Sequence, residues 1–444
     1  MQRPICPPPC AATFYNLRPP PRGCRRGPEA VCKVFPKVVA FPESGRILGR
    51  HLVAAACLGI SPAVVAFLPF LARERFAANN WQTTVITAAI PVMQLFSIFW
   101  NHYYVRVGMG RYLLAIALLH SFPIGLIGAV RGVEATMVLW VLTAFGNAGI
   151  PPLMGDLLRS CYAPLVRGRV FGVVSTAGML STLTTGLVVG ALSDRHPDAF
   201  RVYLPGLALI HLIGLLLVWR ISRELLFRER MRPAPQRDSA WWEPLRQMAR
   251  TLKEDRRFAA YEVAFMSYGV GWMICTALLP ALATDRLRLS YSEYSLATIV
   301  IFQVVMLLLL APVGHLTDRI GAMRVAQLSF AWLTVYPLGL LWTRGFDGLA
   351  FFSLLYAIGM VGVNLTWTLG PIVLAPDPSR TSHYLAIHTT MVGVRGLFAQ
   401  GLAMALYVLT GSFVVPLLAA SAGFLWAATR IRGLVTGAPT TRPT

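Results

Sequence analysis

Arg395 stands roughly eleven residues into a long apolar run, with Gly393 and Gly396 beside it and His388 two helical turns earlier. At ~1.5 Å of rise per residue it would lie ~16 Å deep if the run is a membrane helix. Insertion scales put the cost of a guanidinium there at about 2.5–3.5 kcal/mol. The side chain therefore needs a wet cavity, carbonyl partners or an anion. Its planar fork of donors suits a carboxylate or phosphate, so the first reading is a cation that holds a solute's anionic group. Coupling by His388 on the same helix, coupling by Glu262, and uncoupled facilitation all remain open from the sequence. Glu262 lies one turn into another apolar run, where it can reach back to Arg257 or carry a proton. No other carboxylate stands deep in an apolar run, and none is expected at the depth of Arg395.

Weaker candidates are the hydrogen-bonding groups Gln94, Asn147, Gln303, Asn364 and Trp367, with Tyr268 and Trp272 as an aromatic wall. Any of them could simply bond between helices. His120 and His211 each sit alone on an apolar stretch and read as core residues. The spacing of Cys6, Cys10, Cys24 and Cys32 has no matching histidine pair or repeated C-x2-C, which argues against zinc. Cys57, Cys161 and Cys275 behave as small hydrophobes. No phosphate loop, HExxH or GxSxG appears, so neither an enzyme nor a bound cofactor or metal is expected.

The elements that must position these residues follow from composition. Of 444 residues, 56% are hydrophobic and 13% charged, against about 25% charged in a soluble domain. Twelve membrane helices of about 20 residues need about 240 apolar positions, which is what 56% supplies. A soluble enzyme is excluded, and a barrel would alternate polar and apolar residues over short runs. Hydropathy with glycine, proline and charge breaks gives spans near 52–72, 82–104, 111–130, 134–157, 169–192, 202–221, 259–283, 293–313, 323–343, 348–374, 384–409 and 411–429. The first has no small-residue cleavage site and is read as a retained helix.

The net charge of +21 invites a nucleic-acid reading, which the distribution removes. Thirty-one of the forty basic residues fall on the side that holds both termini and the central loop. Lys and Arg concentrate on the cytoplasmic side of a membrane, so both termini are expected there, and no nucleic-acid partner is.

A shift of 213 residues lays the second half on the first. It pairs Met93 with Met306, His102 with His315, Gly108 with Gly321, Gly146 with Gly359, Gly149 with Gly362 and Arg167 with Arg380. Six spans per half give a parallel repeat about an axis along the membrane normal, with a cavity between two bundles. Between the halves, Trp241 to Arg257 alternates bulky apolar residues with Arg246, Arg250 and Arg256. This is either an amphipathic helix on the inner leaflet or a charged linker. Gly186-x-x-x-Gly190 reads as a close-packing motif.

After the eighth span comes Gly314-His315-Leu316-Thr317-Asp318-Arg319-Ile320-Gly321-Ala322-Met323-Arg324. It resembles the G-x-L-x-D-R-x-G-x-x-R loop of the major facilitator superfamily, in twelve-helix bacterial form, over about residues 51–432. The first-half copy runs from Asn101 to Arg111 and has Val105 at the acidic position. The resemblance implies an all-α fold of two six-helix bundles, at 51–222 and 258–432. A basic proline-rich tail (1–50), a loop with an amphipathic helix (223–257) and a short tail (433–444) flank them. It implies a monomeric secondary transporter in an inner (plasma) membrane, moving a small solute by alternating access. Proton or ion coupling is expected, and export ahead of uptake. A non-transporting receptor or lipid-handling protein on the same scaffold is the alternative. Gly314 (for close helix approach), Asp318, Arg319, Gly321 (for a tight turn) and Arg324 would latch the cytoplasmic side. Arg106, Gly108 and Arg111 would join them, with Asp156 a partner for either arginine.

Overall fold

The computed structural model describes residues 44–162, 164–229, 242–376 and 380–436. Within them the chain is helical, with no strand. The first ten helices are α1 (Ser44–Leu58), α2 (Ser61–Phe76), α3 (Asn80–Met93), α4 (Ser97–Val107), α5 (Met109–Ile116), α6 (Phe122–Ile127), α7 (Val133–Asn147), α8 (Ile150–Cys161), α9 (Pro164–Arg195) and α10 (Phe200–Glu229). The next are α11 (Glu243–Glu254), α12 (Arg256–Ala281), α13 (Tyr291–Ser295), α14 (Ile301–Ile320) and α15 (Ala322–Leu333). The last are α16 (Val335–Trp342), α17 (Phe346–Leu374), α18 (Thr381–Gly396), α19 (Ala399–Thr410) and α20 (Val414–Thr436).

Among the described residues, ten helical stretches are long and apolar enough to cross a membrane. The second and fourth expected spans are not in that set, although the shorter apolar helix Val133–Asn147 lies in the fourth. Span two is α3 and α4, joined by a tight turn at Gln94–Phe96 just after Pro91. Span four is α7 and α8, broken where Gly149 precedes Pro151 and Pro152. Large apolar side chains such as Val202, Trp342 and Leu409 are exposed, as a surface facing lipid allows. The ends differ from expectation too. Helix α1 begins at Ser44, inside the expected tail, and α10 runs on to Glu229. The tail cysteines lie outside the described residues.

Helices α1 to α10 pack chiefly on one another, and so do α12 to α20. In the first group α1 lies on α9 and α10, and α3 on α7. In the second α12 lies on α20, and α14 and α15 on α17. Helix α11 forms where an amphipathic helix was expected. Its apolar face meets protein: Met248 and Leu252 pack on the core, and the Thr251 hydroxyl lies 2.9 Å from His383 Nε2. The Asp255 carboxylate caps α12 at the Phe258 N–H and accepts from the Tyr384 hydroxyl at 2.8 Å. The start of α18 is thereby tied to the start of α12.

Candidate functional site

Glu262 and His388 meet at the centre of this arrangement. His388 Nδ1 lies 2.9 Å from Glu262 Oε1 and 3.1 Å from Oε2, and neither residue is more than 2% exposed. Of the two readings of Glu262, the reach back to Arg257 is not the one found. Glu262 faces α18 because α12 packs that side against α18 and α17. The rings of Tyr261, Phe265 and Trp367 surround His388 at 5.0–5.3 Å between centroids. The Tyr261 hydroxyl is spent on the Thr366 carbonyl. His388 Nε2 has no partner. A carboxylate and an imidazole so enclosed can share one proton and have little else to exchange it with.

Arg395, two turns further along α18, is 4% exposed. It faces protein, and of the partners it was expected to need it has a carbonyl. Nη1 donates to the Phe265 carbonyl at 2.7 Å, the guanidinium lies over the Tyr268 ring at 5.8 Å, and Nε has no partner. The space exists because residue 269 is glycine: a Cβ there would overlap the guanidinium. Glu262 on the facing helix meets α18 at His388, two turns before Arg395. The site is thus three residues on two helices, Glu262, His388 and Arg395, which the sequence separates by up to 133 positions.

Of the other candidates, Trp367 and Tyr268 border this site, and the rest stay apart from it. Gln94 donates to the Asn147 Oδ1 at 3.4 Å. Trp272 Nε1 donates to the Tyr356 hydroxyl at 2.7 Å. Asn364 is exposed and donates to the Met360 carbonyl at 2.9 Å. Gln303 is partly buried on α14. His120 and His211, expected to be isolated, face each other at 4.7 Å.

At one end the two groups of helices are closed on each other. Arg73 of α2 holds Asp285 at 2.5 Å and donates to Thr284 and Asn80 at 2.9 Å. Phe70 stacks on Tyr294 at 4.2 Å. The Asp194 carboxylate accepts from the N–H groups of Tyr291 and Ser292 at 2.7 and 3.0 Å, at the start of α13, where an anion is favoured. Gly186 and Gly190 let α9 touch Ile299 and Ser295, as the motif implied, and the Ser295 hydroxyl donates to the Gly186 carbonyl at 2.6 Å. Apart from Gly186 and Gly190, none of these closure residues was singled out from the sequence. The available signal was an arginine and an aspartate at matching ends of the first and seventh apolar runs. Midway, Gly393 and Gly396 of α18 abut Leu95 and Pro91.

The other end carries the loop motif. Gly108 and Gly321 have φ of +76° and +85°, a conformation that favours glycine at both tight turns. Asp318, Arg319 and Arg324 are exposed. A cavity of about 600 Å³ opens beside Ala311, Pro312, His315, Leu316 and Arg319. Nothing lies within 4 Å of a Cβ placed on Gly314, so its expected close helix contact is absent here. Arg106 and Arg111 are exposed, and the Asp156 side chain lies outside the described residues.

Residues 51–400 match the family described as Major Facilitator Superfamily. None of the curated protein sequences matches this chain. Among solved structures, the nucleoside transporter NupG is similar at 12% identity, covering 89% of this chain and 98% of its own, with a TM-score of 0.64. An auto-inhibited peptide transporter of the POT family is similar at 13% identity, with 90% and 99% covered and a TM-score of 0.68. The human organic anion transporter MFSD10 is similar at 14% identity, with 88% and 100% covered and a TM-score of 0.63. At these identities the likeness shows a shared fold.

Proposed function

Because the chain belongs to the major facilitator superfamily, we propose that it is a secondary transporter of a small solute, coupled to protons through Glu262 and His388. The observation that carries this reading is the fully buried acid–imidazole pair between α12 and α18. Holding both groups ionised away from water is costly unless the pair is well made. Moving one proton on or off the pair therefore changes the preferred spacing of α12 and α18. Helix α18 also touches the first group of helices at Gly393 and Gly396, so that change reaches the contact between the two groups. Arg395 places a fixed positive charge near the pair.

In this reading the end closed by Arg73 and Asp285 is the outer one. The open end, with the Asp318–Arg319 loop, faces the cytoplasm with both termini, in an inner-membrane protein acting as a monomer. The two groups of helices are the six-helix bundles of the expected repeat, and the solute passes between them by alternating access, outward. A solute with an anionic group is favoured by the unpartnered Nε of Arg395, which reaches it once α18 shifts away from the Phe265 carbonyl.

The test is a panel of nucleosides, dipeptides and small organic anions offered to vesicles containing the purified chain, with internal pH read by a trapped dye. A solute that moves should carry protons in the wild type, and Glu262→Gln should abolish that proton movement and lower gradient-driven accumulation at least tenfold. Solute flux indifferent to an imposed pH gradient, or equal in both proteins, would defeat the coupling. A chain that moves no solute at all would favour a receptor or lipid-handling role.

A further inference from the structure

His120 and His211 have no part in that pair. Their ring centroids are 4.7 Å apart at 56°, and neither residue is more than 1% exposed. Each is fixed by its own partners. His120 Nδ1 lies 2.9 Å from the Thr143 carbonyl; a carbonyl only accepts, so Nδ1 carries a hydrogen. In the neutral ring the Ser61 hydroxyl, 3.0 Å from Nε2, is then the donor. Ser121 Oγ lies 2.7 Å from His211 Nδ1. His211 Nε2 has no partner.

The backbone around the cluster is irregular on two sides. His120 and Ser121 sit in a π-helical turn, Ala117–Ser121, a distortion frequent at functional sites and present also at Leu282–Arg286 and Leu296–Val300. Ser61 is the first residue of α2, directly after the break that separates it from α1.

The second half shows what the fold itself requires here. The 213-residue shift carries His120 to Leu333 and His211 to Phe424, both fully buried. The placement is equivalent as well as the numbering: a Cβ on Gly146 would strike His120, and one on Gly359 would strike Leu333. Hydrocarbon fills the position in one half without burying any polar group. Imidazoles in the other leave a buried ring nitrogen unpaired, a cost with no packing return. Departures of this kind from the demands of a fold concentrate at functional positions.

The charges around the rings are few. On the helices packed against them, Glu134, Arg201 and Arg220 lie two or more turns along α7 and α10. Cys57 is the nearby thiol, against Gly214 of α10. No carboxylate or cation is recorded as acting on either ring among the described residues.

We propose that His120 and His211 form a second proton-binding site, within the first group of helices and separate from Glu262 and His388. It takes one proton from water, on His211 beside the His120 ring, when the break between α1 and α2 opens. The bare Nε2 of His211 is the acceptor. Ser61 and Thr143 hold His120 in a fixed tautomer beside it. The proton returns to water when the break closes, and no bond other than N–H forms or breaks.

The chain has eight histidines, few enough to resolve by imidazole 15N spectra of the full protein in lipid nanodiscs. The pH is varied from about 5 to 8, the range in which histidine ordinarily changes charge. The double variant His120→Leu with His211→Phe, which installs the side chains of the second half, assigns the two signals. His211→Asn serves for assignment if the double variant does not fold. The expected result is that the His211 signals move from neutral to cationic positions on acidification, and that the wild type takes up about one proton more than the double variant. Rings that stay neutral throughout overturn the site and make the cluster a packing feature. Loss of coupling at Glu262 would leave these spectra unchanged, so failure of either site is separable from failure of the other.

Discussion

The two halves share a fold and divide the chemistry. At the position where α18 carries Arg395, the 213-residue shift gives Thr182 on α9, and His388 falls on Ser175. The backbone logic survives the exchange. Thr182 donates to the Gly59 carbonyl at 2.5 Å, as Arg395 donates to the Phe265 carbonyl at 2.7 Å; each side chain ties its helix to the first helical run of its own half. The second half adds a buried charge to that tie, and a carboxylate and imidazole one to two turns away. The first half keeps a neutral hydroxyl there and sets its polar cluster elsewhere, at His120 and His211. One scaffold thus tolerates polar groups at different depths because each is matched by a local partner or a glycine.

The largest expected effect comes from erasing the difference at Arg395. Arg395→Gln should lower solute accumulation at least tenfold in vesicles, whereas Thr182→Val should lower it about fivefold or less, as the loss of one neutral hydrogen bond costs about 1 kcal/mol. Gly269→Ala should match Arg395→Gln without touching a charged residue, because its Cβ takes the space of the guanidinium. If Gly269→Ala transports normally, the position of Arg395 is not what distinguishes the halves.

A smaller effect is expected where the halves meet. Arg73 is 9% and Asp285 43% exposed at their side chains, so solvent screens the pair and it contributes about 1 kcal/mol or less. Asp285→Asn should shift the ratio of closed to open outer ends by no more than about fivefold, read by labelling of a cysteine introduced at Tyr291. Exchanging the two charges, Arg73→Asp with Asp285→Arg, should restore the ratio; failure to do so would assign closure to Asp194 and the Phe70–Tyr294 stack.

The smallest effect lies within one half. Hydrogen bonding from Arg75, and then its charge and that of Arg201, hold the exposed Asp198 carboxyl below its ordinary range. A carboxyl depressed on folding adds stability above its unfolded pKa and loses it as pH falls through the folded value. Asp198→Asn should therefore leave thermal stability almost unchanged at neutral pH and slightly flatten its decline in acid. A large loss at neutral pH would show that this half depends on its surface ions more than the comparison implies.

Much of the architecture is legible in the chain itself. Bilayer thickness fixes the length of an apolar run, so span positions follow from composition and breaks. Positive φ is cheap only for glycine, so Gly108 and Gly321 marked both turns. Repeated spacing exposed the two halves, and Arg395 and His388 stood out because a polar group in an apolar run is costly. Partnership was not legible. Glu262 looked like a surface acid because position along one helix says nothing about which helix covers it, and α18 covers it from 126 residues away. His120 and His211 looked solitary because their contact crosses helices 91 residues apart in sequence. Arg395 could have met water, an anion or carbonyls, and meets the Phe265 carbonyl in a space left by Gly269. Burial cost is a property of one residue and can be read in sequence; what offsets it is a contact between helices, and only tertiary packing decides that.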